Sequence, residues 1–189
     1  RFDPHMSSRK RKNISEQCLA DIKTELDKVA SQDEDRILRA FLTVIKATLR
    51  TNFFQLTDLG DPKVYVSFKL DPSKVPDLPL PRPTYEVFVY SPRMEGVHLR
   101  GGPVARGGLR WSDRKEDYRT EVLGLVKAQQ VKNAVIVPFG SKGGFLPKNL
   151  PAGGTRDEVQ AEAIRSYKTF LSGLLDITDN LDGMNVVPP

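Results

Sequence analysis

A chain of 189 residues, 39% of them hydrophobic and 28% charged, has room for one ordinary domain and enough apolar mass for a core. One cysteine, Cys18, excludes an internal disulfide framework, and two histidines leave too few ligands for a zinc site. The net charge of +5 raises nucleic acid as a partner, but the dense basic run Arg9-Lys10-Arg11-Lys12 has no interleaved aromatics for base stacking. It reads as a solvated, unstructured lead-in. No apolar stretch approaches the roughly 20 residues that cross a bilayer, and no apolar run follows the N-terminal charges. A cytoplasmic protein without membrane or nucleic-acid partners is expected.

Residues 14–50 predict two helices, the first capped by Asn13 with Glu16 and the second by Ser31 with Glu34. In the second, Ile37, Leu38, Phe41, Leu42, Ile45 and Leu49 recur at helical spacing. The period then changes. Val64, Val66, Phe68 and Leu70 alternate with Tyr65, Ser67 and Lys69, as a half-buried strand requires. A connector with Pro76, Pro79, Pro81 and Pro83 must be loop. Residues 85–91 and 97–100 read as a hairpin turning over Pro92 to Gly96. A helix follows over 113–132, then the continuous apolar run 134–139, which reads as a strand buried on both faces. Thr155 with Glu158 caps a last helix with Ile164, Tyr167, Phe170, Leu171, Leu174 and Leu175 as its apolar stripe. These elements imply a layered α/β domain with a mixed, partly parallel sheet over 56–189, preceded by a helical lead-in over 1–55.

Two glycine-rich segments flank the helix 113–132, and both carry cations: Arg106-Gly107-Gly108-Leu109-Arg110 and Gly140-Ser141-Lys142-Gly143-Gly144. The second is expected to be a loop that presents its lysine at the C-terminal end of the strand 134–139. It departs from the P-loop pattern, because Gly143 stands where Ser or Thr is needed, and the chain has no GxGxxG. Val122, Leu125, Gln129 and Lys132 share one helix face, which turns polar toward its end. On spacing alone, Lys132 either complements the helix dipole or joins Gln129 and Lys142 in one cleft.

These residues resemble a family. RGGLRWSD followed by LVKAQQVKNAVIVPFGSKGGF is similar to the substrate-binding core of glutamate dehydrogenases, and YEVFVYSPRMEGVHLRGGPVARGGLRW resembles the large bacterial NAD-specific type. The resemblance spans residues 85–180, about half of the chain. It implies that Arg106 grips the side-chain carboxylate of the substrate, that Gln129 and Lys132 hold the α-carboxylate, and that Lys142 is the catalytic lysine. Arg110 would be structural. L-glutamate and 2-oxoglutarate would be the substrates, and the full-length protein a homo-oligomer. NAD would be the cofactor, bound by a domain beyond this chain, with no metal. Three positions depart from the pattern of the small enzymes. Arg106 replaces a lysine, Ser141 replaces a small apolar residue, and the stretch from Lys132 to Lys142 is shorter. The family's proton-shuttling aspartate belongs to a motif not found before Pro189, so Asp176, Asp179 and Asp182 receive no such role and the chain alone is expected to be inactive. The rival readings are a catalytically silent dicarboxylate-binding or assembly module and, built on residues 9–12, a basic nucleic-acid-binding module.

Overall fold

Ser7 begins the ordered architecture: its hydroxyl accepts the Lys10 N–H at 3.4 Å and caps α1, Ser8–Leu26. The structure, a computed structural model, describes residues 1–102, 107–133 and 140–189, with the side chains of 132 and 133 outside the description. Helix α1 thus starts before the Asn13 signal, because Ser7 is itself a good cap and Arg9 to Lys12 are straight-chain helix formers. The basic run therefore lies on a helix rather than in an unstructured lead-in, and Lys12 sits 3.9 Å from Glu16. Helix α2, Gln32–Ala47, is capped by Ser31 as expected, with Asp33, Glu34 and Asp35 at the positive end of its dipole. It stops before Leu49, because Thr48–Thr51 leaves the helix to form the edge strand β1.

The remaining strands are β2 (Val66–Leu70), β3 (Tyr85–Tyr90), β4 (Met94–Arg100), β5 (Leu109–Trp111) and β6 (Ser141–Pro147). Helix α3 spans Tyr118–Asn133 and α4 spans Arg156–Leu175. The six-stranded sheet runs β1-β2-β3-β4-β6-β5 and is antiparallel except for the β5–β6 pair, so it is mixed as expected. The hairpin β3–β4 turns over Ser91 to Arg93, tighter than predicted, because the Ser91 hydroxyl accepts the Met94 N–H at 3.0 Å. Helix α3 begins later than residue 113. The run 134–139, expected as a strand, lies outside the described residues.

Each sheet face carries one helix. Val87, Val89, Met94 and Phe145 pack with Phe170, Leu174 and Ile177 on the α4 side. Val97 and Leu99 pack with Tyr118, Val122, Leu123 and Val126 on the α3 side. Arg119 of α3 also donates twice to the Glu86 carboxylate of β3, at 2.8 and 2.7 Å, which fixes the helix across the sheet.

The α4 side overturns two expectations. Ser67 is fully buried while Val64 is 79% exposed. On α4 the buried residues are Glu162, Ala163, Ser166, Phe170, Gly173 and Leu174, whereas Ile164, Tyr167 and Leu175 are exposed. The physical reason is close approach: a Cβ on Gly173 would lie 2.6 Å from Val89 Cγ1 and 2.7 Å from Ser67 Oγ. A helix this near the strands buries small residues beside Phe170 and Leu174, so apolarity alone selected only part of the buried stripe. Phe170 fits because Gly96 leaves room; a Cβ there would meet its ring at 2.5 Å. Gly96→Ala is therefore expected to destabilise the protein by about 1–3 kcal/mol, read as a lower urea midpoint at unchanged m-value. An unshifted midpoint would show that the ring can yield.

The chain closes with a small exposed hairpin, β7 (Asn180–Asp182) and β8 (Asn185–Val187), which turns at Gly183 with φ of 59°.

Candidate active site

The segment Gly140–Gly144 contradicts its reading as a loop. Residues from Ser141 onward form β6, inside the sheet, with Lys142 opposite Leu99 of β4. The glycines here answer to packing. A Cβ on Gly143 would lie 2.5 Å from Leu109 Cδ2 and 2.9 Å from His98 Cδ2, and one on Gly144 would lie 2.5 Å from Val122 Cγ2. One glycine admits β5 and β4 side chains, the next admits α3, and the strand is pressed on both faces.

Lys142 accordingly stands near the start of β6, within the strand itself, and it is partly buried. Strand alternation places it on the same face as Gly144 and its partner Leu99, the face covered by α3. Helix α3 runs antiparallel to β6 above it. Val122 lies over Gly144 at one end, and at the other the Gln129 amide fills the space that a Cβ on Gly140 would need. Lys142 falls between these two contacts. The Gln129 side-chain oxygen is buried and has no hydrogen-bond partner among the described residues.

The first glycine segment is joined to the same strand. A Cβ on Gly107 would overlap the Ser141 carbonyl oxygen, and the Gly143 N–H donates to the Gly108 carbonyl at 3.2 Å. Arg110 pairs with Glu121 at 3.1 Å, and the Ser112 hydroxyl donates to the same carboxylate at 2.7 Å, so Arg110 ties β5 to α3. The structure thus brings Gln129 to the neighbourhood of Lys142. Lys132 belongs to the last turn of α3, but its side chain lies outside the described residues, as does all of Arg106.

One group escaped the sequence reading. His98 is 5% exposed on the opposite face, against Gly143, and its Nδ1 accepts the Arg100 guanidinium at 3.4 Å. Burial, and then the Arg100 charge, lower its pKa from 6.5 to about 4. It is a neutral core histidine. A His one residue from Leu99 in an alternating strand carries no sequence signal that separates this from a ligand role.

No group of three or more candidate metal ligands occurs among the described residues. Gly143 and Gly144 are covered by side chains, so neither offers open backbone to a pyrophosphate. No residue of this chain is assigned to NAD.

The family model described as bacterial NAD-glutamate dehydrogenase, catalytic domain, matches residues 21–189. The chain belongs to this family. It is 70% identical over 164 residues to the NAD-specific glutamate dehydrogenase of Pseudomonas aeruginosa, covering 87% of this chain and 10% of that protein. It is 60% identical over its whole length to the enzyme of that name from Halomonas elongata, covering 12% of that protein. The Mycobacterium tuberculosis enzyme is 58% identical over 170 residues, covering 86% of this chain and 10% of its own. The chain therefore spans about a tenth of the length of these relatives.

Proposed function

We propose that this segment binds the dicarboxylate substrate of a glutamate dehydrogenase that converts L-glutamate to 2-oxoglutarate and ammonium, with NAD as its coenzyme. The observation that carries this reading is the buried, unpartnered Gln129 amide oxygen beside the strand that bears Lys142. A polar group buried without a partner costs free energy, and the cost is offset when a ligand completes its bonding. The Gln129 amide oxygen would accept from the α-ammonium of L-glutamate while its NH2 donates to the α-carboxylate, and Lys132, one helical turn on, would supply the positive charge there. Arg106 would take the distal carboxylate, where a guanidinium can bind bidentately. Lys142 would hold and move the proton at the α-substituent of the substrate, the position at which C–N bond cleavage requires one.

The test is Gln129→Ala in the full-length enzyme. It is expected to raise the KM for glutamate by about 10- to 100-fold with kcat little changed, the loss anticipated for a hydrogen bond to a charged group. A KM that stays at the wild-type value removes Gln129 from the substrate site. In that case its contact with Gly140 is packing alone.

A further inference from the structure

On the sheet face opposite Lys142, three cationic side chains converge around one carboxylate. The registers pair Lys69 with Val87 and Tyr85 with Arg100, so alternation puts Lys69, Tyr85 and Arg100 on the α4 face together with Val87. With Thr178 and Asp179, just beyond α4, they line a cavity of about 220 Å³. Arg50 of β1 approaches the same Asp179, its Nη1 donating to the carboxylate at 2.6 Å.

The charges there do not balance. Asp179 is the carboxylate of the lining, and Arg50 already takes it. Arg100 is only 9% exposed, yet its described side-chain bonds are two long ones, 3.4 Å to His98 Nδ1 and 3.5 Å to Thr178 Oγ1. It forms no ion pair among the described residues. A guanidinium has five N–H donors, and desolvating them without an anion is unfavourable. The Lys69 ammonium sits 4.5 Å from the Tyr85 ring centroid, and its pKa is lowered by burial and then by Arg50 and Arg100. Three cations against one carboxylate, around a cavity, leave an excess positive charge with space beside it.

We propose that this cavity binds a small oxyanion, the phosphate or carboxylate group of a soluble ligand, held by Arg100 and Lys69, with Arg50 neutralising Asp179 beside it. It spans β2, β3 and β4 on the sheet face opposite Lys142 and is independent of the proposed substrate site. A carboxylate from another part of the same protein shares this chemistry and is the competing source.

The experiment titrates inorganic phosphate into the full-length enzyme at fixed ionic strength, with NAD present to occupy its own phosphate-binding groups, and follows thermal unfolding. A free-anion site predicts a saturable rise in Tm for the wild type. In Lys69→Met the half-saturating phosphate concentration should increase about tenfold or more. Arg50→Gln, whose side chain is 35% exposed and which leaves the buried Arg100 in place, should show the same weakening. A linear rise equal in all three proteins is the general effect of an excluded salt and overturns the proposal. No response in the wild type overturns it as well, and points to a carboxylate of the protein already seated there. Saturable binding unchanged in both variants places the phosphate elsewhere and likewise overturns it.

Discussion

Lys142→Ala in the full-length enzyme is expected to lower kcat by about 10³-fold, within the range that a positioned acid–base group contributes, while leaving the protein folded. The side chain is partly buried and takes part in no ion pair among the described residues, whereas the glycines after it carry the packing contacts. Loss of the amine should therefore cost chemistry and not architecture, and the thermal midpoint of the variant should match that of the wild type. Lys142→Arg separates the two ways a cation can act. Guanidinium keeps its proton throughout the working pH range, so it can supply charge but cannot exchange a proton. The arginine variant should remain as impaired as the alanine variant across the pH profile. Near-normal turnover with arginine would show that Lys142 contributes charge alone and would sink the proton-transfer role.

The second large effect is on stability, and it follows acid. His98 holds a pKa of about 4 in the folded protein against 6.5 as its ordinary value, because burial and Arg100 disfavour the imidazolium. Between these values the unfolded chain binds a proton that the folded chain does not. Stability therefore falls as pH is lowered from about 6.5 to about 4, after which both states are protonated and the loss is complete. The gap corresponds to about 3 kcal/mol. His98→Gln keeps a neutral acceptor for Arg100 and does not titrate, so this part of the acid sensitivity should vanish in the variant. The comparison is the free energy of unfolding of wild type and variant at pH 7 and pH 4, where carboxylate titration is common to both. Equal losses in the two proteins would mean that the imidazole is solvated when folded.

The sequence made the architecture legible where one chemical signal had one structural meaning. Thr155 with Glu158 forms the capping box that it announces, and the alternating residues of 85–100 form the expected hairpin. It misled where a signal had two meanings. Glycine marks both loops and close packing, and at Gly143 and Gly144 it marks packing, because Leu109, His98 and Val122 occupy the space that side chains would need. Apolar periodicity on α4 picked Ile164 and Tyr167, although small residues face the sheet, because the distance between helix and sheet is a tertiary property. The final hairpin was missed despite Asp182-Gly183, a dipeptide that favours a tight turn. In the candidate site, Gln129 was legible through its helical spacing to Val122, and its juxtaposition with Gly140 was not.

The setting of Lys142 has a consequence for motion. Its strand is hydrogen-bonded to β4 at this residue and to both β4 and β5 over the next three, with close contacts on both faces. Such a backbone has no soft direction, since a shift of even about half an ångström would break a ladder or drive Gly144 into Val122. With the role proposed for it, the lysine would be the fixed point of a catalytic cycle. Opening, closing and release of product would then fall to whatever approaches it, with hinges expected outside β6.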